Sequence, residues 1–137
     1  KVLENYIFCF VDQSFLKKDY KFFPSAGSAA QFPVLNNWGL ESEKQYFRYQ
    51  KAKSKPGKSI TLNLSNQFQT QFGDSALYQF DYNLSLQSDD QTISSDYKGT
   101  AQFKIFLDQR KQWVIVEWSD LRIGNLKSWS ELKGRSY

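Results

Sequence analysis

The sequence predicts an α+β fold in which N-terminal helices pack in the concave face of a strongly curved antiparallel sheet. Three observations predict it: helical apolar spacing in the first 53 residues, alternating apolar and polar residues after residue 60, and short polar turns between the alternating segments. Strands this long must twist and coil, so we expect the sheet to wrap the helices as a cone. The chain has 137 residues, enough for a core, and we expect residues 1–137 to form a single domain.

The first quarter of the chain predicts two helices. Residues 1–11 carry apolar side chains in pairs four residues apart, which is the stripe of an amphipathic helix. A second short helix is expected over 14–22, with Leu16 and Tyr20 facing inward and lysines facing water. Pro24 ends it, because proline lacks a backbone donor and its ring clashes inside a helix.

A short strand and a longer helix follow. Residues 32–35 predict the strand. Ser42 followed three residues later by Gln45 predicts a capping box that opens a helix over 43–53. The lysine-rich segment 51–58 is expected to be a solvated connector.

Residues 60–72 and 76–86 predict the two arms of an antiparallel hairpin. Apolar and polar residues alternate in both arms, as expected for strands with one buried and one wet face. Gly73 and Asp74 separate the arms, where a tight turn needs a residue that tolerates positive φ. The predicted polar face is mostly uncharged: Thr61, Asn63, Ser65, Gln67, Gln69 and Gln71 beside Gln79, Asp81, Asn83 and Ser85.

Two more strands and a tail complete the chain. The third strand is expected over 93–107. The fourth is expected over 112–123 and is apolar on both faces, so it belongs in the middle of the sheet or beneath additional cover. Trp129 and Leu132, at i and i+3, predict a short helical turn capped by Ser128. This turn either docks back on the sheet or presents an aromatic anchor to a partner.

The composition excludes several kinds of chemistry. The chain has no histidine, which removes the commonest general base, the commonest zinc ligand and every Ser-His or Cys-His arrangement. Cys9 is the single cysteine, so an internal disulfide and a cysteine-built metal site are excluded, and its apolar neighbours indicate a buried thiol. We therefore expect no metal site and no cofactor. The net charge of +4 is spread along the chain and does not predict nucleic-acid binding.

We expect the protein to be extracytoplasmic, either periplasmic or secreted. Methionine is absent, so Lys1 is not expected to be a translation start, and the N-terminus is expected to have been processed or trimmed. Amide and hydroxyl side chains on the wet strand faces favour the same location. Asn63 and Asn83 each begin a glycosylation sequon, which matters only in a eukaryotic secretory pathway. No apolar stretch approaches the ~20 residues that span a bilayer.

The closing hairpin carries a resemblance to a known family. Residues 107–119 read Leu-Asp-Gln-Arg-Lys-Gln-Trp-Val-Ile-Val-Glu-Trp-Ser, a turn followed by a Trp-x-Ile strand. With the order of helices and long strands, this resembles the cone-shaped NTF2-like (nuclear transport factor 2-like, or SnoaL-like) superfamily. The usual glycine of the turn is missing between Asp108 and Lys111. A different α+β roll and a lipocalin-like barrel with extra helices are the alternatives.

The resemblance implies a site inside the cone without naming its function, because the superfamily includes isomerases, cyclases, dehydratases and binding-only proteins. Its enzymes generally use a carboxylate base or an Asp-His pair with a tyrosine or protonated acid as oxyanion donor, and the lack of histidine excludes the Asp-His version. Glu117 and Asp120 are the weak candidate bases, since both lie in or beside the fourth strand. Each is more readily explained as an acid in water or paired with Lys104 or Arg122.

Aromatic residues are the candidate lining of a ligand pocket in the cone: Trp38, Tyr78, Tyr82, Trp113 and Trp118. The same rings are equally explained as core. The resemblance also implies a homodimer through the polar sheet face. Three functions stand: a non-catalytic module that binds a protein partner in an extracytoplasmic or envelope-associated protein, a protein that binds a small apolar ligand, and a histidine-free isomerase or cyclase, the least favoured.

Overall fold

The computed structural model describes residues 2–58 and 60–136, so Lys1, where we expect a processed terminus, lies outside it. The fold is α+β, with helices on the inner face of a curved, open, five-stranded sheet. In chain order the elements are α1 (Val2–Phe8), β1 (Lys21–Phe23), α2 (Ser28–Gln31), a 3₁₀ helix (Pro33–Asn37), α3 (Leu40–Lys53), β2 (Thr61–Phe72), β3 (Ser75–Ser85), β4 (Asp96–Leu107), β5 (Trp113–Arg122) and α4 (Trp129–Arg135). The sheet order is β1–β5–β4–β3–β2, with β1 parallel to β5 and the other neighbours antiparallel.

The helix predictions over 1–11 and 43–53 are confirmed with shifted ends. Helix α3 begins at Leu40, because Gly39 is its N-cap and the Ser42 hydroxyl accepts the Gly39 N–H at 3.3 Å from within the first turn. Gln45 therefore takes no part in the cap. The shift lengthens α3 by almost one turn and places Glu43 within its first turn and not at its first position.

Two local predictions are wrong. Residues 14–22 do not form a helix, since the Asp12 carboxylate accepts the Ser14 N–H at 2.9 Å in a local turn and Phe22 pairs with Trp118 in the parallel β1–β5 ladder. Residues 32–35 enter a 3₁₀ helix instead of a strand, because Pro33 occupies its first position, where no N–H is needed.

The strand predictions for β3, β4 and β5 are confirmed. Strand β3 alternates as predicted, with Ala76, Phe80, Tyr82 and Leu84 buried on the inner side. Strand β5 has neighbours on both sides, which fits its apolar character. In the turn before it, Lys111 has φ of 63° and takes the left-handed conformation that glycine adopts most easily.

Strand β2 differs most from its prediction. Its alternation predicts one buried face, but apart from the half-buried Thr70 its residues are exposed. The strand is the edge of the sheet, and the described helices cover neither of its sides. A β-bulge between Ser65 and Phe68, with Asn66 at φ of 51°, shifts its register by one residue.

The bulge moves the apolar residues of β2 from one side of the sheet to the other. Leu64 lies opposite Tyr82 on the inner side, whereas Phe68 lies opposite Gln79 on the outer side. The predicted polar face is therefore divided: Thr61, Asn63 and Ser65 share the outer side with Gln79, Asp81, Asn83 and Ser85, while Gln69 and Gln71 pair with the inner residues Tyr78 and Ala76.

The tail docks back, and the prediction for Cys9 is wrong. Helix α4 packs against α2, the 3₁₀ helix and β4, and Trp129 and Leu132 are buried. Cys9 is exposed, because it follows the last turn of α1 on the side that faces solvent. Among the described residues, no helix combines the length and apolar character that crossing a membrane requires.

Candidate functional site

The concave side of the sheet is the candidate site, and helix α4 reaches into it. The Trp129 ring lies perpendicular to Trp118 with the ring centres 4.7 Å apart, and 5.0 Å from the ring of Tyr82. Its indole N–H donates to the hydroxyl of Tyr46 at 2.8 Å. We call Trp129, Leu132 and Lys133 the α4 plug, since all three are buried between the sheet and the other helices.

Asp120 holds the start of α4. The side chain of Ser128 does not cap the helix. Instead, one Asp120 oxygen accepts the backbone N–H of Ser130 at 2.7 Å and its hydroxyl at 2.6 Å. The other Asp120 oxygen accepts a hydrogen bond from the Tyr82 hydroxyl at 2.6 Å. That hydroxyl in turn accepts one from the backbone N–H of Trp129 at 2.7 Å. A strand residue therefore satisfies the first helical donors in place of a local cap.

Glu43 is the second interior carboxylate and is completely buried. It accepts hydrogen bonds from the hydroxyls of Tyr6 and Tyr20, each at 2.8 Å, and from the indole N–H of Trp38 at 2.7 Å. The ammonium of Lys133 forms an ion pair with the same carboxylate. Three side chains that are distant in the chain and one that lies five residues away thus converge on one acid.

Aromatic rings surround the ammonium of Lys133. Its Nζ lies 3.6 Å from the ring centre of Trp118 and 4.4 Å from that of Phe22, with Trp38 and Tyr46 slightly farther away. Burial lowers the pKa of Lys133 to about 8, although the Glu43 carboxylate opposes this change. The lysine side chain is fully buried, so the site offers no exposed amine for chemistry.

The tyrosines around these carboxylates stay neutral. Burial raises the pKa of Tyr6, Tyr20 and Tyr46 above the ordinary tyrosine value, and the Glu43 charge adds to the shift. Burial and the neighbouring Asp120 raise the pKa of Tyr82 in the same way. The hydroxyls of Tyr6, Tyr20 and Tyr82 therefore donate to the two carboxylates, whereas that of Tyr46 accepts the indole N–H of Trp129.

The structure distributes the predicted site residues unevenly. Trp38, Tyr82 and Trp118 lie in the interior beside the α4 plug. Tyr78 is half-buried and stacks edge-on against Phe80. Trp113, at the start of β5, is 40% exposed and lies away from them. The candidate base Glu117 is half-exposed, with its carboxylate 3.8 Å from the ammonium of Lys104, which matches the paired alternative.

An open groove lies beside α1. It has a volume of about 860 Å³ and runs between α1, the segment 11–20 and the first turns of α3. Its lining includes apolar and basic side chains: Leu3, Ile7, Phe8, Val11 and Leu40 with Lys18, Lys44, Arg48 and Arg110. Across residues 2–58 and 60–136, no group of three or more acidic or cysteine side chains is placed to hold a metal ion.

Sequence reasoning missed Glu43, Trp129 and Lys133 as site residues. A signal for Glu43 existed, because Glu43, Tyr46 and Gln50 recur at i, i+3 and i+7 on the inner stripe of α3. Helical spacing from Trp129 likewise places Lys133 on the buried side of α4. A charged residue on an apolar stripe points to a buried partner elsewhere, but spacing does not identify that partner.

Comparison with solved structures defines the class of the fold. A proposed aromatic ring hydroxylase from Novosphingobium aromaticivorans has a TM-score of 0.65 and 13% identity, over 97% of this chain and 82% of its own. A proposed dehydratase of the NTF2-like family from Streptomyces avermitilis has a TM-score of 0.62 and 11% identity, over 88% and 82%. The beta subunit of benzoate 1,2-dioxygenase from Burkholderia mallei has a TM-score of 0.59 and 15% identity, over 88% and 76%.

The chain has the NTF2-like fold. No protein-family model matches it, and neither does any curated protein sequence. Identities this low establish the shared fold, while function has to be argued from the residues of the cone.

Proposed function

We propose that the protein is a non-catalytic NTF2-like interaction module. The carrying observation is the α4 plug: Trp129 and Lys133 occupy the concave side, where a substrate would have to lie. Both interior carboxylates, Glu43 and Asp120, use their oxygens on donors from the protein itself. An acid that is buried and accepts hydrogen bonds on both oxygens in this way is poorly placed to take a substrate proton.

A cavity-rescue experiment tests whether the cone is filled. Trp129→Gly should destabilise the protein by about 3–5 kcal/mol, because it leaves an indole-sized void beside Trp118. Free indole should fill that void and raise the Tm of the variant, since a ligand that binds the native state stabilises it. The wild type should show no rise in Tm with indole. Trp113→Gly, at an exposed ring, is the matched control and should show no rescue.

Ligand titration followed by NMR gives the opposing outcome. We expect naphthol or indole to leave the indole N–H signals of Trp118 and Trp129 in the wild type unchanged. Saturable shifts of both signals would show that the cone accepts a ligand, and the filled cone on which the proposal rests would then be wrong.

We also propose that the module belongs to an extracytoplasmic or envelope-associated protein. The support is the amide-rich surface of the β2–β3 hairpin. The exposed thiol of Cys9 allows a direct test with a membrane-impermeant maleimide on intact cells. Labelling before lysis is expected, with Cys9→Ser as the control; labelling only after lysis would contradict the location.

The open groove supports a second candidate function, the binding of a small apolar ligand beside α1. Its volume of about 860 Å³ is within the range of small-molecule sites. An apolar fluorescent dye should bind the wild type, and Ile7→Asp on the groove wall should weaken binding at least tenfold. Leu126→Asp, at an exposed loop position, is the matched control.

A further inference from the structure

Strand β2 presents an unprotected edge. Ten of its 12 residues pair with β3 on one side, and no strand among the described residues lies on the other side. Exposed edges are normally protected by charged side chains, proline or bulges. Apart from the bulge at Asn66, β2 has none of these: it contains no charged residue and no proline.

The exposed side chains of this edge are large and apolar. Phe68 is 57% exposed and Phe72 is 68% exposed, both on the outer side of the sheet. Leu62 and Leu64 are exposed on the inner side. A strand that combines free backbone groups with exposed aromatic rings favours pairing with another strand.

The turn determines which backbone groups of β2 are free. Gly73 and Asp74 form a two-residue turn, so Phe72 and Ser75 flank it as a hydrogen-bonded pair. Because such pairs alternate, Thr70 and Phe68 also bond to β3. The N–H and C=O groups of Gln69 and Gln71 therefore point away from the sheet.

We propose that two copies of this chain pair antiparallel through β2, around a two-fold axis at Thr70. In this register Gln69 of each copy bonds to Gln71 of the other, using the free backbone groups. Each Phe68 then faces Phe72 of the second copy on the outer side, in the close pairs where side chains approach most. The two sheets join into one continuous sheet, and the symmetry closes at two copies.

The uncharged edge, together with its self-complementary side chains, favours a second copy as the occupant. The chain carries a net charge of +4, so two copies repel each other over most of their surfaces. Between Lys58 and Lys98, however, the sequence contains no lysine or arginine. The β2–β3 hairpin carries two charged residues, Asp74 and Asp81, and both lie outside the paired segment 68–72. Two such chains can therefore meet along this segment without opposing charges, and its aromatic residues are self-complementary in the register above.

This inference names a partner for the proposed interaction module, and it rests on that function. The proposed function and the proposed dimer can fail separately. Rescue of the Trp129 variant by indole tests whether the cone is filled, whereas the oligomeric state tests pairing through β2. The edge-strand dimer also differs from the pairing through the polar sheet face that the family resemblance implies.

Site-directed crosslinking tests the register. In a Cys9→Ser background, Thr70→Cys places two thiols directly opposite each other across the axis, at a separation suited to a disulfide. Mild oxidation should give a covalent dimer within minutes. Thr61→Cys, the same substitution near the other end of β2, should crosslink at least tenfold more slowly. Equal rates for the two variants would overturn the proposed register.

Sedimentation velocity tests the dimer itself. The wild type should be dimeric at micromolar concentrations, and Phe72→Lys should raise the dimer Kd at least tenfold, since it sets two cations against the partner rings. Leu126→Lys, another exposed apolar position, should leave the Kd unchanged. A wild type that stays monomeric over the whole concentration range would overturn the proposal, as would an unchanged Kd in Phe72→Lys when circular dichroism shows it folded.

Discussion

Lys133 and Glu43 form an ion pair in the most buried part of the molecule, and both side chains are inaccessible to solvent. Two charges lose their hydration there, so the pair contributes little net stability compared with apolar residues of similar size. Its effect is on specificity, because each charge is tolerable only where the other is present. The pair therefore ties the position of α4 to that of α3.

A double-mutant cycle measures this coupling. Glu43→Gln or Lys133→Met alone should each lower the free energy of unfolding by about 3–5 kcal/mol, since each leaves one buried charge without its partner. The double variant should lose much less than the sum of the two, with an interaction energy of about 2 kcal/mol or more. Urea unfolding of the four proteins provides the values. Additive losses would mean that the two charges act independently.

At the scale of elements, the sequence predicts strands better than it predicts the ends of helices. The alternation of β3 survives in the structure because inner residues such as Phe80 and Tyr82 have helices to pack against. The alternation of β2 is equally clear, yet its residues are exposed, because no pattern within a strand reveals whether another element covers it. Residues 14–22 fail as a helix for the related reason that Phe22 gains more from pairing in the sheet.

The turn between β4 and β5 gives one test of element ends. Lys111 holds a left-handed conformation that costs a non-glycine residue roughly 1 kcal/mol. Lys111→Gly should therefore raise the free energy of unfolding by about 0.5 kcal/mol, after the extra chain entropy of glycine is subtracted. Lys111→Ala keeps the strain and serves as the control. Equal stability of the two variants in urea would show that the turn stores no strain.

Gly134 gives a second test, in α4. A Cβ atom at this position would lie 2.4 Å from Cγ of Phe32, so Gly134→Ala forces the ring aside. We expect a loss of about 1–3 kcal/mol despite the better helix propensity of alanine. Phe32→Ala should make room, so the double variant should be no less stable than Phe32→Ala alone. Thermal unfolding compares the four proteins, and a Gly134→Ala variant as stable as wild type would contradict close packing here.

At the scale of the whole molecule, the sequence predicts the architecture but does not predict that the α4 plug fills the cone. The order of helices and long strands leads to the NTF2-like fold, and rings such as Trp38 and Trp118 are recognisable as interior residues. The content of the cone depends on Lys133 meeting Glu43 across 90 positions of the chain. Periodicity is local and carries no information about which distant charges meet.

The buried titratable groups together predict an unusual dependence of stability on pH. The pKa of Lys133 is about 8 in the folded protein against 10.5 when unfolded, so the unfolded chain binds more protons between these values. Stability should therefore rise with pH from about 8, by up to ~1.4 kcal/mol per pH unit. Above the ordinary tyrosine pKa of 10.0 it should fall, because burial keeps Tyr6, Tyr20 and Tyr46 protonated only in the folded state.

Urea unfolding across this range checks the prediction, with Lys133→Met as the control that should lose the rise and keep the fall. A decrease in stability of the wild type between pH 8 and 10 would mean that the attraction of Glu43 outweighs burial at Lys133. Tyrosinate absorbance should report the second phase, since the buried hydroxyls ionise only as the protein unfolds.

The α4 plug also has a consequence for biosynthesis. Its contacts with α3 span 83 to 90 positions, and α4 follows every other described element in the chain. A ribosome therefore releases the sheet and the earlier helices while Glu43 still lacks its cation and Trp118 its neighbouring ring. Until α4 has been synthesised, the nascent chain exposes the apolar interior that α4 will cover. Contacts between residues so far apart in the sequence form late in folding. A chain whose synthesis stalls before Trp129 would therefore expose apolar surface to chaperones and quality-control proteases, even if its strands had already paired.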